Sequence, residues 1–177
     1  SNSNPWDNLK FDLSGVDEVK RKFFGTLYNT YSFFALYANI DGFKYDEKEI
    51  EFDQRPELDR WILSELNSLI ISVDEYYNDY EPTKAARAIN IFVIDNLSNW
   101  YVRLSRRRFW KGDYEKDKIS AFQTLFDVLV NIAKLSAPIS PFFMDRLFID
   151  LCKNLNQRFS GSIHLEDFPV ADKSKID

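Results

Sequence analysis

The sequence is poor in residues that build disulfide, metal and phosphate-binding sites. It has one cysteine, Cys152, and one histidine, His164, in 177 residues, which excludes a disulfide framework and a Cys/His zinc site. A lone thiol is typical of a reducing, cytoplasmic compartment. The five glycines are too widely spaced for a GxGxxG or P-loop phosphate cradle. No apolar run approaches the roughly 18 residues of a membrane span, and the polar N-terminus is unlike a signal peptide.

Sequence signatures of catalysis are missing as well. There is no GxSxG nucleophile elbow, and one histidine cannot supply the Glu-x-x-His pairs of a di-iron bundle. The 28 carboxylates are dispersed along helical positions and none stands out as a pair. Cys152 is predicted to be a packed thiol and His164 an ordinary surface residue. We therefore predict that this chain alone is not catalytic and holds no metal or cofactor.

Aromatic side chains and helical periodicity dominate the sequence. Aromatic residues make up 16% and charged residues 29%, which indicates a globular protein whose core contains many large rings. Apolar residues recur at three- and four-residue steps, often between an initial proline and a final glycine. The predicted helices span 14–40, 56–80, 82–110, 117–136 and 141–155.

Short connections between these helices make neighbours antiparallel, so the predicted fold is all-α, an up-and-down helical bundle of about five helices. Two short extended pieces are predicted, at 50–52 within an acidic connection and at 162–165. The chain is divided into a linker at 1–13, a helical bundle at 14–155 and a C-terminal tail at 156–177 that holds the second extended piece.

The second half of the third helix is anomalous in charge. At 100° per residue, the core face that includes Ala85 and Val93 continues into amides, indoles and guanidinium groups. Five cations and no acid lie between positions 103 and 111, in a chain whose net charge is −5. The candidate binding residues are Asn99, Trp100, Arg103, Arg106, Arg107, Arg108, Trp110 and Lys111.

Two interpretations of this segment are open. In the structural one, Trp100 and Trp110 belong to the core, and Arg103 and Arg107 pair with carboxylates of neighbouring helices, because buried arginines need partners. In the functional one, the helix end is a positive ridge. Its planar guanidinium groups bind phosphates, and its aromatic faces accept an unstacked base or a ribose.

The arginines are not equivalent in the functional interpretation. Arg106 and Arg108 lie off the continuing core face and are the stronger candidates for direct contact with RNA. Arg103 and Arg107 are the candidates for structural roles. Lys84 and Arg87, near the start of the same helix, are weaker candidates for RNA contact.

The segment Asn99–Trp110, NWYVRLSRRRFW, closely resembles a helix in the anticodon-binding domain of isoleucyl-tRNA synthetases. The resemblance covers nearly the whole chain and follows the family order. The other matching stretches are Asn4–Asp12, Arg21–Phe43, Pro56–Ile70, Thr83–Ile89, Lys134–Phe142 and Ile163–Pro169. Valyl, leucyl and methionyl enzymes share the bundle and the AP-x-x-PF turn but do not usually carry SRRRFW. They remain the alternatives, together with a helical protein-interaction module.

The resemblance implies that the full-length protein is a class I ligase that joins isoleucine to tRNA with ATP. It also implies an editing domain that hydrolyses valyl-tRNA, because one methylene separates the two amino acids by only about 1–3 kcal/mol. The HIGH and KMSKS signatures are absent from these residues. The implied partners are tRNA for isoleucine and the protein's own catalytic and editing domains, with no membrane and a monomeric state. ATP, with zinc as a further candidate, belongs to the full-length enzyme.

Two features depart from the family pattern. Asp145 is followed by Arg146 where the family tends to have paired acids, and the long acidic connection at 43–54 is not a strong family feature. Both weaken any transfer of residue roles to the last helix.

Overall fold

The fold is a bundle of helical rods, described by a computed structural model for residues 13–153 and 160–176. Most of the predicted linker, part of the predicted tail and the end of the last predicted helix lie outside the described residues. The α-helices are α1 (Leu13–Val19), α2 (Gly25–Asp41), α3 (Glu57–Asn78), α4 (Pro82–Ile91), α5 (Arg103–Trp110), α6 (Lys116–Ser136) and α7 (Pro141–Cys152). Two π-helical segments, Lys20–Phe24 and Phe92–Val102, join α1 to α2 and α4 to α5 without a break.

The predicted all-helical architecture is confirmed, and the glycine and proline residues predicted at helix ends lie there. Gly42 ends α2 with a left-handed φ of 71°, where a side chain would be strained. Pro82 and Pro141 occupy the first turns of α4 and α7, where a missing N–H costs nothing. Every helix in the described ranges is too short or too polar to cross a membrane.

Neither predicted extended piece forms a strand, since residues 50 and 51 have no regular secondary structure and Phe52 begins a 3₁₀ turn. Residues Phe52–Gln54 and Ile163–Leu165 each form one turn of 3₁₀-helix. The first turn is tied to α6 through its neighbours, and Ser162 accepts a hydrogen bond from the backbone N–H of His164 to cap the second. Isolated segments have no neighbouring strand to pair with in a helical bundle, so local hydrogen bonds determine their conformation.

The core lies around α6 and is rich in rings, as the composition predicts. Phe122 on α6 stacks on Phe43 with centroids 5.0 Å apart, and Phe109 meets its ring edge-on at 5.1 Å. Leu125 and Leu129 on the same helix are fully buried. Burial of each such side chain contributes about 1.5–3 kcal/mol, so α6 is the element around which the other helices are organised.

The first helix is less buried than its periodicity predicts. Leu27, Phe34 and Ala38 on α2 lie in the core. The spacing of apolar residues in the first predicted helix also places Val16 and Val19 on this face, but both are exposed, and α1 buries none of its residues. The predicted stripe therefore contacts the core through α2 and through the half-buried Phe23 in the π-helical segment before it, but not through α1.

The third rod differs most from the prediction, because Phe92–Val102 is π-helical. The i→i+5 hydrogen bonds of a π-helix place more residues in each turn than the 3.6 of an α-helix. Residues four positions apart therefore stay on the side of the helix that faces the core. In a regular α-helix, each step of four residues would rotate the side chain by about 40° around the helix axis. The buried residues on this side are Ala85, Ile89, Val93, Leu97, Tyr101, Ser105 and Phe109. The predicted continuation of the core face through Arg103 and Arg107 is wrong for this reason.

The connection before α3 is fixed to α6 by a buried arginine. Arg55 donates from Nε to the carbonyl oxygen of Ile50 at 2.9 Å and from Nη1 to Thr124 Oγ1 at 2.8 Å. Its Nη1 also lies 3.4 Å from the carboxylate of Asp127. Gln123 accepts a hydrogen bond from the backbone N–H of Ile50 at 3.0 Å. These contacts give a loop without regular structure a single position on the bundle.

Stability is expected to fall as the pH rises through about 6, because of Asp127. Burial raises the pKa of Asp127 from 3.8 to about 6, although the positive charge of Arg55 and a hydrogen bond from Tyr45 lower it. The folded state therefore binds a proton more tightly than the unfolded chain, and this contribution is lost between about pH 4 and pH 6. Its size is at most about 2–3 kcal/mol.

The measurement is chemical denaturation at several pH values for the parent protein and for Asp127→Asn. The variant is expected to gain stability relative to the parent as the pH rises through 6. Parallel stability curves would show that Asp127 does not titrate differently in the two states.

Candidate nucleic-acid interface

The candidate surface lies at the end of the long helical segment formed by α4, the π segment and α5, which ends at Trp110. One of its arginines, Arg108, has a structural role. Arg108 donates two hydrogen bonds to the carboxylate of Asp59 on α3, at 2.6 Å and 2.8 Å. Its Nε bonds to Asp117 at 3.0 Å. The side chain of Asp59 is completely buried, and that of Arg108 is 16% exposed. The prediction that Arg108 points away from the core is therefore wrong, since the π segment turns it inward.

Asp59 is the acceptor at the centre of a buried network. It also accepts hydrogen bonds from Tyr101 Oη at 2.9 Å and Ser120 Oγ at 2.6 Å. Burial and the carboxylate of Asp59 raise the pKa of Tyr101. Burial lowers the pKa of Arg108, but the hydrogen bonds and charge of Asp59 outweigh that effect and raise it overall. The network joins α3, the π segment, α5 and α6, and it positions the whole cationic helix end.

The remaining cations of the segment point to the surface. Arg103, Arg106, Arg107 and Lys111 are exposed, and within the described residues none of them has a carboxylate partner. Arg106 lies over the ring of Phe33 at 5.7 Å, a contact that leaves its hydrogen-bond donors available. The structural roles predicted for Arg103 and Arg107 are not found.

The two tryptophans of the segment are surface residues. Trp100 is 60% exposed and Trp110 is 54% exposed, so the alternative that both belong to the core is wrong. Asn99 is exposed beside Trp100. Ten residues along a helix correspond to roughly 15 Å, so the two rings lie at opposite ends of one stripe with the arginines between them. We call the exposed polar and aromatic residues of this stretch the cationic stripe; they are Asn99, Trp100, Arg103, Arg106, Arg107, Trp110 and Lys111.

The weaker candidates near the start of the rod are separate from this surface. Lys84 pairs with Glu81 at 3.4 Å, and Arg87 is exposed on α4. Both lie on α4, which precedes the π segment in which the cationic stripe begins.

Sequence reasoning missed two neighbours of the stripe on α3. The ring of Trp61 lies 6.4 Å from that of Trp100. Glu65, one turn further along α3, accepts a hydrogen bond from Asn96 at 2.8 Å. Both pairs have the same register between two antiparallel helices. Trp61 and Glu65 are four residues apart within the matched stretch 56–70, so the sequence places them on one face of α3. The periodicity of one helix does not show which residues of another helix this face contacts.

The arrangement suits a polyanion with unpaired bases. Guanidinium groups bind phosphates in a bidentate manner, and no acid of the described residues pairs with those of Arg103, Arg106 and Arg107. Exposed indoles provide faces on which bases stack. Within the described part of the chain, no three His, Cys, Asp or Glu side chains are grouped so as to hold a metal ion.

Similarity to known proteins identifies the class of this chain. The model of a protein family described as the anticodon-binding domain of tRNA ligase matches residues 59–177. The chain therefore belongs to the family of anticodon-binding domains of tRNA ligases.

Its relatives include the isoleucine–tRNA ligase of Bacteroides thetaiotaomicron, which is 62% identical over all 177 residues, and that of Porphyromonas gingivalis, which is 63% identical over the same length. The isoleucine–tRNA ligase of Clostridium tetani is 42% identical over 174 residues, 98% of the chain. The chain spans 15% of the length of the first two relatives and 17% of the third.

Proposed function

We propose that this chain is the tRNA-binding part of an isoleucine–tRNA ligase and that the cationic stripe contacts the anticodon arm of tRNA for isoleucine. The observation that supports this most directly is the set of four exposed cations without carboxylate partners among the described residues: Arg103, Arg106, Arg107 and Lys111. The relatives are isoleucine–tRNA ligases, which favours isoleucine over valine, leucine or methionine as the amino acid.

The rest of the reaction belongs to the longer protein. In it, catalytic and editing domains would use ATP to charge tRNA and remove misattached valine, in the cytoplasm and as a monomer. This chain would supply affinity and orientation for the tRNA. Arg108 has no part in the proposed contact, since its donors are occupied by Asp59 and Asp117.

A salt titration of tRNA binding tests the proposal. Each phosphate contact releases bound counterions, so the logarithm of the binding constant should fall linearly with the logarithm of the salt concentration. Four contacts predict a slope of about −2.8 to −3.6, from 0.7–0.9 per contact. The measurement is fluorescence anisotropy with labelled tRNA for isoleucine, with an unrelated tRNA in parallel.

A slope close to zero, or no binding at low salt, would contradict the role of the stripe. Equal affinity for both tRNAs would be consistent with the phosphate contacts but would contradict a preference for tRNA for isoleucine. Assignment of the amino acid needs the full ligase, for which we expect ATP–pyrophosphate exchange that depends on isoleucine.

A further inference from the structure

The cationic stripe ends where the ends of four helices lie together. Arg108, near the end of α5, donates two hydrogen bonds to Asp59 in the first turn of α3. Lys118, near the start of α6, pairs with Asp41, the last residue of α2, at 3.0 Å. This end of the bundle therefore carries both the connection between α2 and α3 and the loop between α5 and α6.

The two segments that join these helices are acidic. Residues 43–54 and 112–116 together contain seven acids and three lysines, a net charge of −4. We call these two segments the acidic edge. Four of its acids are exposed and have no cationic partner among the described residues. They are Glu51, Asp53, Asp113 and Glu115.

Side-chain contacts fix the two segments of the acidic edge beside each other. Tyr114 donates a hydrogen bond to Glu47, and Lys116 donates one to Gln54 Oε1 at 3.1 Å. Burial, together with the hydrogen bond to Glu47 and its negative charge, raises the pKa of Tyr114. The hydroxyl therefore stays protonated at neutral pH and continues to donate. These contacts give the acids a defined position relative to α5, which a freely moving loop would not have.

The boundary between the cationic stripe and the acidic edge is sharp. Lys111 is the last cation of the stripe, and Asp113 is the second residue after it. Gly112 between them has a left-handed φ of 89°, so the chain leaves the axis of α5 at this point. Two residues span at most about 7 Å, and charges interact over a screening length of about 8 Å at physiological salt. A phosphate that passes Lys111 therefore comes within range of the Asp113 carboxylate.

This distribution of charge restricts the path of a phosphate backbone. Arg103, Arg106 and Arg107 attract phosphates, whereas each unpaired carboxylate repels them. A backbone that continued straight beyond Trp110 would run over the acidic edge. A backbone that turns back within the length of the stripe stays among the cations. The backbone of an RNA loop turns back in this way, whereas both strands of a continuous duplex run on.

From this arrangement we infer that the acidic edge is a repulsive boundary that ends the RNA path at Lys111 and makes the domain prefer an RNA loop over continuous duplex. The acids of the edge bind no ligand. They weaken the binding of RNA that lies in another orientation, and specificity is such a difference between two affinities. The inference rests on the proposed function, because it requires RNA on the cationic stripe.

The test compares two RNAs by fluorescence anisotropy at low salt. One is a hairpin with the anticodon stem and loop of tRNA for isoleucine, and the other is a longer, blunt-ended RNA duplex. The acidic-edge variant of the 177-residue protein combines Glu51→Gln, Asp113→Asn and Glu115→Gln. We expect it to bind the duplex about 3- to 10-fold more tightly than the parent does, and the hairpin with a change of less than about 2-fold.

Reversal of one charge at the boundary gives an independent measurement. Asp113→Lys places a cation two residues beyond Lys111 and extends the positive path in the direction of the duplex. Duplex affinity should rise, and the salt slope for the duplex should become steeper by about 0.7–0.9, the value for one added phosphate contact.

The matched control removes the same number of acids elsewhere. Asp17 on α1 and Asp74 and Glu75 in the second half of α3 are exposed and lie outside the acidic edge. Their joint replacement by Asn, Asn and Gln changes the net charge equally. It should leave the ratio of duplex affinity to hairpin affinity at the value of the parent protein.

The outcomes separate the acidic edge from the proposed function. Equal gains in duplex affinity in the acidic-edge and control variants would overturn the inference, because net charge alone would then explain them. An unchanged affinity ratio in the acidic-edge variant and in Asp113→Lys would overturn it as well. In both cases the proposed function stands if hairpin binding is lost when Arg103, Arg106 and Arg107 are replaced by alanine. If the parent protein binds neither RNA, the proposed function fails and the inference fails with it.

Discussion

Alanine at Arg103, Arg106 and Arg107 together is expected to weaken tRNA binding by on the order of 100-fold at 0.15 M salt, if each guanidinium neutralises one phosphate. The salt slope should become shallower by about 2–3, and the difference from the parent should shrink to several-fold near 0.5 M. The three side chains have no carboxylate partners among the described residues. Their removal therefore leaves no buried acid uncompensated, and the fold should remain intact.

The matched control removes the same charge elsewhere. Lys20, Arg21 and Lys153 are exposed on other elements, and their joint replacement by alanine changes the net charge equally. It should have a much smaller effect on both affinity and slope, because long-range attraction is screened within about 8–10 Å at this salt concentration. Equal losses in the two triple variants would mean that net charge alone drives the association. The cationic stripe would then not be the binding surface.

Asp59→Ala is expected to destabilise the fold by about 3–5 kcal/mol, the cost of leaving a buried charge without its partner. The substitution leaves the Arg108 guanidinium, the Tyr101 hydroxyl and the Ser120 hydroxyl without their shared acceptor. Chemical denaturation at neutral pH measures the effect. Arg108→Lys should lie between the parent and Asp59→Ala, because an ammonium keeps the charge but cannot make the bidentate contact.

Asp74→Ala is the control for the side-chain change itself. Asp74 lies exposed on the same helix, α3, and its replacement should shift the free energy of unfolding by less than about 0.5 kcal/mol. If Asp59→Ala lowered the free energy of unfolding by only about 0.5 kcal/mol, the buried pair and its network would contribute little to stability. A loss of tRNA binding with full stability in Arg108→Lys would return Arg108 to the list of RNA contacts.

The bundle could be predicted from the sequence because its helices follow two strong local rules. Apolar residues recur at helical spacing on α3 and α6, and the buried positions Leu66 and Leu129 follow that spacing. Proline and glycine mark the ends of several helices, as at Pro82 and Gly42. Both signals depend only on residues within one helical turn, so they can be recognised in the sequence without knowledge of the tertiary structure.

The orientation of the arginines could not be predicted from the same rules. A period of 3.6 residues places Arg107 on the core side and Arg108 outside, and the structure has the reverse. A signal was present, since Leu97, Tyr101 and Phe109 continue the apolar line of α4 in steps of four or eight. Only the contact with Asp59, 49 positions earlier in the chain, decides which arginine is buried.

The number of residues in the π segment determines which side chains of α5 face the solvent. Removal of a single residue between Phe92 and Val102 would turn everything after it by about 100°, and every side chain from Arg103 to Lys111 would change its neighbours at once. Point substitutions at the exposed arginines, by contrast, leave the core contacts of the rod in place. Substitutions on the outer face can therefore change the surface charge of the domain without disturbing its interior, whereas insertions and deletions in this stretch are constrained by the core contacts.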